Sequence, residues 1–423
     1  MIFEKIRISL LKYTKMQENL IVQAGNTGPK VRSDCFVEMQ LTQSGGINLD
    51  LNSKVASMYG ESIKELVFDV FNFFNIKNTE VKLTDKGALP WVISARLEAA
   101  IKKLIDTDKE YLPDFIEENR YTTEKERYRF SRLYLPGNTP SMFINAGLHK
   151  PDGIILDLED AVAPAKKDEA RYLVRNALRA CNFYSAERMV RINQGERGIE
   201  DLKFVVAHNV NLILIPKIES ADYIKQIDSE IEKLKKQAGV TYNIFYMPII
   251  ESALGVEMAF EIVKSSPNIV AMAIGLEDFT ADLGVRRTKE GTESLYARMR
   301  LVNACHAAGI QPIDSVFSDV GDMEGLLENV KTSKSLGFEG MGCIHPRQVP
   351  VIKQGFAPDA ADIEKAKKIV YAAKQAEAKG LGVVSLGTKM IDPPVVKRHM
   401  KNINLAVNLG LLAENWIEEY EKE

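Results

Sequence analysis

The sequence predicts an α/β protein in which a (β/α)8 TIM barrel follows a small α+β domain. Eight short apolar runs, rich in β-branched residues, recur between residues 132 and 348, and each is followed by a polar or Gly/Pro signal and a helical stretch. Such runs are typical of parallel strands covered by helices, and eight units favour a barrel over an open sheet. A doubly wound sheet would be favoured by a glycine-rich phosphate loop after the first strand, but PGNTPS contains a single glycine.

The first 19 residues are predicted to be an N-terminal extension. Residues 1–15 mix basic and apolar positions, and they lack the long apolar core and the small-residue cleavage site of a secretory signal. Met16 is an alternative start. We therefore expect this segment to be disordered or weakly helical.

Residues 20–105 are predicted to form the small α+β domain. Its expected elements follow from turn signals and from periods of two and 3.6 residues. In order, they are a glycine-rich loop over 23–34, a hairpin around Ser44-Gly45-Gly46, a helix over 57–74 capped by Ser57 or Ser62, a strand over 79–85 and a helix over 91–104.

Residues 106–130 are charge-rich and poor in aliphatic side chains, which predicts a helical or irregular linker. The barrel is expected over 131–360, with helices that include 168–179 and 293–308, and a C-terminal helical extension over 361–423. The eight predicted strands lie in RLYLPGN (132–138), GIILDLED (153–160), RMVRIN (188–193), LILIPKIES (212–220), IFYMPIIES (244–252), VAMAIGLED (270–278), IQPIDSVFSD (310–319) and FEGMGCIHPRQ (338–348).

Composition excludes several classes of function. The 423 residues include 55 Lys and Arg against 58 Asp and Glu, so the net charge of -3 gives no basic surplus for nucleic-acid binding. The four cysteines form no CxxC pair for zinc or redox chemistry. No apolar run approaches the roughly 18 to 20 residues of a membrane-spanning helix. We expect a cytoplasmic protein with no nucleic-acid or membrane partner.

Polar residues close the predicted strands, and a TIM barrel builds its active site at this end of the strands. Several are carboxylates, which would repel one another unless a cation offset their charge. Oxygen ligands without clustered Cys or His favour Mg²⁺ or Mn²⁺ over zinc, and Arg191 is suited to binding a substrate carboxylate bidentately. The strand-end residues are Asp157, Glu159, Asp160, Arg191, Asn193, Lys217, Glu219, Glu251, Ser252, Glu277, Asp278, Asp314 and His345.

Each of these residues also has a structural interpretation. A single acid at a strand end is commonly a helix N-cap or an ion-pair partner. Arg191 taken alone is equally well explained as a structural ion pair, and His345 as part of a turn. Their coincidence on neighbouring strands favours a site that polarises a carbonyl and stabilises an enolate.

The segment from Arg132 to about Gly410 resembles the β (lyase) subunit of citrate lyase, within the group of citrate lyase-like, malyl-CoA lyase and citramalyl-CoA lyase barrels. The resemblance covers nearly the whole second block. It rests on LPGN (135–138), ILDLEDAVAP (155–164), VRIN (190–193), LIPKIES (214–220), IESALG (250–255), GLEDFTADLGVRRTKEGTE (275–293), DSVFSDV (314–320), LGFEGMGCIHPRQV (336–349) and EAKGLGVVSLGTKMIDPPVV (377–396).

The resemblance implies roles for five residues. It implies that Glu251 and Asp278 bind Mg²⁺, that Arg191 binds the carboxylate of the oxo-acid half of the substrate, and that Glu159 is a nearby acid outside the metal's own ligands. It further implies that Asp392 is a catalytic acid/base that reaches in from a neighbouring subunit, and hence that the chain forms a homo-oligomer, a trimer or a hexamer.

The first block resembles the acyl-carrier (γ) subunit of citrate lyase, most closely over DKGALPWVISARLEAAI (85–101). The resemblance implies a phosphoribosyl-dephospho-CoA arm on a serine shortly after an AG pair. Here AG (24–25) is followed by a loop longer than the family's, and alignment on the downstream strand places Arg32 at the attachment position. Ser33 is the only serine of the loop, and we assign the attachment to it.

The chain is thus expected to be a fusion of carrier and lyase. It would cleave a citryl or citramalyl thioester on the carrier into oxaloacetate or pyruvate and an acetyl thioester, with a separate acyl-transferase (α) subunit as a possible partner. Two alternatives stay open: a lyase for free malyl-CoA or citramalyl-CoA with an unloaded carrier, and a non-catalytic scaffold.

Overall fold

A computed structural model describes residues 20–378, 384–386 and 389–420. The predicted N-terminal extension lies outside these residues. The N-terminal module, residues 20–105, contains a four-stranded sheet and two helices. These are β1 (Val22–Gly25), β2 (Cys35–Leu41), β3 (Ile47–Ser53), α1 (Ala56–Phe73), β4 (Thr79–Asp85) and α2 (Pro90–Ile101).

The sheet order β1-β2-β4-β3 corrects the predicted hairpin. β4 lies between β2 and β3, antiparallel to the first and parallel to the second. The turn signal at Ser44-Gly45-Gly46 does reverse the chain. However, β4 pairs with both β2 and β3 and therefore separates them. The predicted loop over 23–34 is also shorter than expected, because Gln23–Gly25 belong to β1, which pairs with β2.

Helix α1 fits its predicted apolar spacing, since Ile63, Val67, Val70 and Phe71 face the sheet. The predicted serine caps are wrong. The helix begins after Val55, which makes no side-chain cap bond, and the Ser62 hydroxyl donates instead to the Tyr59 carbonyl within the helix.

Helix α2 is buried on all sides, with no exposed residue from Trp91 to Ile101. One face packs on the module's own sheet, and Trp91, Val92 and Ala95 join the apolar core of the barrel. A helix buried all round lies between two packed layers, so α2 contributes to the apolar core of the module and to that of the barrel. The segment that follows, 106–130, is irregular except for one 3-10 turn at Glu117–Asn119.

All eight predicted strands form one parallel sheet, and the predicted barrel is confirmed. Its order is β11-β10-β9-β8-β7-β6-β5-β12, and the parallel bridge between Asp314 and Met341 joins the two ends. The strands are β5 (Ser131–Pro136), β6 (Gly153–Asp157), β7 (Glu187–Arg191), β8 (Leu212–Ile215), β9 (Phe245–Ile250), β10 (Ala271–Ile274), β11 (Gln311–Ile313) and β12 (Met341–Cys343).

Helices follow the strands and cover the barrel. Inward-facing side chains such as Met189, Leu214 and Ile249 fill its interior as a separate apolar cluster, so the barrel is a packed core with its chemistry at the ends of the strands. The helices are α3 (Lys167–Ala180), α4 (Gly195–Lys203), α5 (Ala221–Ala238), α6 (Ala253–Val263), α7 (Leu276–Asp282), α8 (Leu295–Ala308), α9 (Met323–Leu336) and α10 (Gln348–Phe356).

The C-terminal extension forms a small unit of its own. Ala366, Val370, Ile403 and Trp416 make its apolar centre. Its elements are α11 (Ala360–Ala378), β13 (Val384–Leu386), β14 (Lys389–Ile391), α12 (Pro393–Asn408) and α13 (Trp416–Tyr420). Among the residues that the structure describes, no helix is both long and apolar enough to cross a membrane.

Candidate active site

Lys217 lies at the centre of an acidic cluster at the carboxyl end of the barrel. Its Nζ is 3.5 Å from Glu159 Oε1, 3.5 Å from Asp160 Oδ2 and 3.6 Å from Asp278 Oδ1. Its backbone N–H donates to Glu251 Oε2 at 3.0 Å. Lys217 adopts a left-handed backbone conformation, φ 51°, which is uncommon for a residue with a side chain. The mouth cluster, Glu159, Asp160, Lys217, Glu251 and Asp278, thus joins residues that follow four different strands.

Arg191 is held beside this cluster by a bidentate ion pair. Its Nε and Nη2 donate to Asp157 Oδ1 and Oδ2 at 2.7 and 2.6 Å. Its Nη1 lies 3.1 Å from Glu159 Oε2, and its Cζ lies 5.3 Å from the centre of the Tyr134 ring. Two of its three nitrogens therefore fix the guanidinium, and the third faces the cluster, where it can bind an anionic ligand.

Burial shifts the pKa values of the acids. Burial, aided by the Glu159 carboxylate, raises the pKa of Glu251 to about 8, although Arg191 opposes this shift. Burial also raises the pKa of Glu159, against the opposing effect of Arg191. Glu159 Oε2 is buried without a well-aligned hydrogen-bond donor. A buried carboxylate that lacks a well-aligned hydrogen-bond donor is stabilised by a nearby cation. At the mouth, Lys217 and Arg191 supply the positive charge.

The donor set at the mouth fits Mg²⁺. Glu251 and Asp278 both present oxygen ligands next to Lys217, and one or two protein carboxylates suffice for an ion that keeps several waters. Within the described part of the chain, no group of three or more His, Cys, Asp or Glu side chains is arranged as a metal site. The fit therefore rests on the type of the donors, not on a complete protein shell.

Gly275 makes room for Glu251. A Cβ atom at this position would lie 2.4 Å from Glu251 Oε1 and 2.7 Å from its Cγ. Real Cβ atoms do not approach other atoms so closely, so any side chain here would force Glu251 to turn away.

We therefore expect Gly275→Ala to lower kcat/KM about 100-fold, since a displacement of about 1 Å of a reacting group costs on that order. The backbone conformation of Gly275 suits alanine, so the thermal unfolding temperature should fall only slightly. Gly284→Ala is the control: Gly284 follows the C-terminal end of α7, and a Cβ there would meet no atom within 4 Å, so the substitution strains only a backbone of positive φ. Equal loss of activity in both variants would contradict the role of Gly275.

Several predicted mouth residues have structural roles instead. Asp314 is buried and bonds Arg298 and Ser333, and Asn193 bonds Asp201. Glu219 accepts from Ser252, whose hydroxyl caps α6. In the remaining two cases Glu277 pairs with Arg287, and the ring nitrogen of His345 accepts from the backbone N–H of Arg347.

Asp392 lies away from the mouth cluster of its own chain. It is the N-cap of α12, where its Oδ1 accepts from the Val395 N–H at 3.2 Å. It borders a cleft of about 1230 Å³ that Tyr128 also lines, and no residue of the mouth cluster lines this cleft. The prediction that Asp392 serves the site of a second copy stays a prediction.

Ser33 lies on the loop between β1 and β2, with φ 50°, and its N–H donates to the Lys86 carbonyl at 3.1 Å. The preceding Arg32 is exposed, whereas the following Asp34 is buried. The side chain of Ser33 is half-buried at the surface of the module, a position at which a covalent group can be attached.

Sequence reasoning gave no role to Asp157, Lys217, Gln194 or Tyr134, although the first two stood among the strand-end residues. Gln194 donates to Glu159 Oε1 at 2.8 Å, and Tyr134 lies under Arg191. For Lys217 the sequence does contain a signal, because LIPKIES places a lysine at a strand end in a barrel where other strands end in acidic residues. Tyr134 is one of the inward-facing residues of β5, and nothing in its local sequence distinguishes it.

Comparisons with known proteins match both parts of the chain. The family model described as HpcH/HpaI aldolase/citrate lyase matches residues 131–346. An acyl-carrier model described as Malonate decarboxylase delta subunit (MdcD) matches residues 22–104.

Among the relatives, citrate lyase subunit beta of Haemophilus influenzae is 41% identical over 275 residues, which cover 64% of this chain and 94% of that protein. The mitochondrial citramalyl-CoA lyase of Homo sapiens is 30% identical over 289 residues, 66% of this chain and 85% of that protein. The crystal structure of CitE from Mycobacterium tuberculosis in complex with magnesium, acetoacetate and coenzyme A superposes with a TM-score of 0.56 at 27% identity, covering 67% of this chain and 99% of that one.

Proposed function

The chain belongs to the HpcH/HpaI aldolase/citrate lyase family and is a lyase, and from this premise we propose that it cleaves a citryl or citramalyl thioester carried on its own N-terminal module. The products would be oxaloacetate or pyruvate and an acetyl thioester. The observation that carries the proposal is that Arg191 contacts Glu159, and that Lys217 joins Glu159 to Glu251 and Asp278, so that a carboxylate-binding group and a pair of candidate metal ligands belong to one cluster.

In this proposal Arg191 binds the carboxylate of the oxo-acid half of the substrate through Nη1, while Asp157 keeps the guanidinium plane fixed. Glu251 and Asp278 would hold Mg²⁺, and the magnesium complex of the CitE relative supports this ion. Bound there, Mg²⁺ would supply positive charge that polarises the substrate hydroxyl and offsets the charge of the developing enolate. Glu159 orients Arg191, and Lys217 lies within ion-pair distance of Glu159, Asp160 and Asp278.

The bond changes balance without an external oxidant. The substrate hydroxyl loses its proton as the carbon–carbon bond breaks, which creates the ketone of the 2-oxo acid. The electron pair of the broken bond passes to the α-carbon of the thioester as an enolate, and one proton completes the acetyl thioester. We assign both proton transfers to Asp392 of a second copy of the chain: its carboxylate takes the proton of the hydroxyl and then delivers a proton to the enolate carbon, and so ends as it began. This assignment requires a homo-oligomer such as a trimer or hexamer.

A second candidate is a lyase for a free CoA thioester, with an unloaded module. The names of the relatives favour it, since they include citramalyl-CoA lyase and a complex with coenzyme A, and so does the lengthened loop before Ser33. Turnover of citramalyl-CoA or malyl-CoA by protein without an arm would support this candidate. A separate acyl-transferase subunit is needed only by the carrier-bound reaction.

The test of the carrier assignment is the mass of Ser33. We expect the chain expressed with its attachment machinery to carry a phosphoribosyl-dephospho-CoA arm, located on Ser33 by peptide mapping and absent from Ser33→Ala. Ser62→Ala, an exposed serine of the same module, is the matched control and should keep the arm. An unmodified wild-type chain, or an arm that persists in Ser33→Ala, would refute the assignment, and turnover with Mg²⁺ of citryl against citramalyl thioester would decide the substrate.

A further inference from the structure

The N-terminal module is fixed to the barrel by buried charges around Arg96, on α2. Its Nε and Nη2 donate to Asp34 Oδ1 and Oδ2 at 3.0 and 2.9 Å, within the module. From the same guanidinium, Nη1 donates to Glu169 Oε1 at 3.3 Å and Nη2 to the Asn138 carbonyl at 3.0 Å, both on the barrel. The side chains of Arg96, Asp34 and Glu169 are at most 2% exposed.

The loop that carries Ser33 makes further bonds to the barrel at its N-terminal end. Asn26 Nδ2 donates to the Asn138 carbonyl at 2.6 Å and to Asp34 Oδ2 at 2.9 Å. At the start of the loop, the Gly25 N–H donates to Glu169, and Lys166 Nζ donates to the Gly25 carbonyl at 2.8 Å. The start of the segment 25–34 is therefore held on the barrel directly, and Asp34 at its other end is held through Arg96 and Asn26.

A second buried contact joins α2 to α3. Arg175 of α3 forms a bidentate pair with Glu98 of α2, at 3.0 and 2.6 Å, and both side chains are fully buried. Next to it, Asn176 Nδ2 donates to the Trp91 carbonyl at 3.0 Å. Undocking would expose an apolar face of α2 and break two buried ion pairs that cross the interface, Arg96–Glu169 and Glu98–Arg175. Such surfaces are typical of permanent contacts.

The Arg96 contacts lie on the side of the barrel where the mouth is. Asn138 follows β5, and the neighbouring Gly137 N–H donates to the Asp157 carbonyl at 2.7 Å. The side chain of Asp157 in turn holds Arg191. A short series of contacts thus connects Asp34, next to Ser33, with the carboxylate-binding arginine of the mouth.

We propose that the N-terminal module is a stationary carrier, permanently docked on the barrel of its own chain, with Arg96 as the residue that positions the Ser33 loop beside the mouth. Only an arm on Ser33 would move between sites. The presence of an arm rests on the proposed function, whereas the docking rests on the contacts above. Holding the attachment point near the mouth keeps the effective concentration of a tethered substrate high.

Cleavage of the linker tests the docking. A protease site is inserted between Thr107 and Asp108, in an irregular and mostly exposed stretch, and the full-length protein is then cut. We expect the two fragments to co-elute in size-exclusion chromatography and to separate only on denaturation. Fragments that separate under native conditions would overturn the proposal.

A distance measurement tests the positioning by Arg96. All four native cysteines are buried, so Ser33→Cys with Leu254→Cys, an exposed residue at the start of α6, gives two sites for spin labels. We expect one narrow distance distribution by electron double resonance, a broadened one with Arg96→Met, and no change with Arg120→Met in the exposed linker. A broad distribution in the protein with Arg96 intact would contradict the proposal. Glu169→Gln, which keeps a hydrogen-bonding side chain, replaces Arg96→Met if that variant does not fold.

Activity separates this inference from the proposed function. In the arm-loaded chain, Arg96→Met should lower turnover of the tethered substrate about tenfold and leave cleavage of a free CoA thioester within about twofold. Equal loss on both substrates would mean that Arg96 is only structural, which overturns its positioning role. If wild-type protein cleaves neither substrate, the proposed function fails, while the chromatography and distance measurements still decide the docking.

Discussion

Glu251→Gln is expected to lower kcat/KM for Mg²⁺-dependent thioester cleavage by about 1000-fold, equivalent to about 4 kcal/mol of transition-state stabilisation. The substitution keeps the shape and the bond from the Lys217 N–H, but an amide cannot take on the negative charge with which the carboxyl group would bind the ion. Steady-state rates over a range of Mg²⁺ concentrations measure the effect, and the Mg²⁺ concentration for half-maximal rate should rise.

The control is Glu219→Gln, which removes a carboxylate at the end of a neighbouring strand. Glu219 is exposed, and its side chain accepts a hydrogen bond from Ser252. The substitution should therefore change kcat/KM by less than about threefold. Full activity in Glu251→Gln, with an intact fold by circular dichroism, would exclude Glu251 as a metal ligand and with it the proposed site.

Arg191→Lys is expected to lower kcat/KM about 100-fold, close to 2.7 kcal/mol. An ammonium group cannot keep the two bonds to Asp157 and also present a third donor to the substrate, as the guanidinium can. Because the lost bonds hold the substrate's carboxylate in both the ground and the transition state, most of the loss should appear as a higher KM, with kcat little changed.

Arg287→Lys is the matched control, since Arg287 also pairs with a strand-end acid, Glu277, at the same end of the barrel. We expect it to keep kcat/KM within about threefold, because its partner is exposed. Equal effects of the two substitutions, measured on the same thioester, would contradict a substrate-binding role for Arg191.

Local sequence was sufficient to predict most of the barrel. Its strands are continuous apolar runs that end at polar residues, because parallel strands are buried on both faces and leave the sheet at a mouth that faces water. The same rule placed Arg191, Glu251 and Asp278 at one end of the barrel before any coordinates. It could not separate Asp314 from them, because whether a strand-end acid faces the mouth or a buried arginine depends on how the helices pack, and here Arg298 of α8 pairs with Asp314.

The N-terminal module illustrates the opposite case. The turn at Ser44-Gly45-Gly46 predicts a hairpin from neighbours in sequence, but strand pairing is decided by which partner completes the sheet, and β4 arrives only after α1. The predicted serine caps are wrong for a similar reason. The start of α1 is set by where β3 ends, so the helix begins directly after Val55 and before both serines.

The sequence by itself determined the two kinds of domain, the order of the strands along the chain and the chemistry available at the strand ends, because burial and period are properties of short segments. Only the tertiary structure decided that Lys217 lies among the acids, that Asp157 holds Arg191, and that Arg96 fastens the Ser33 loop to the barrel. Each of these contacts joins residues from separate elements, and the strength of a buried ion pair depends on the burial that the whole fold creates.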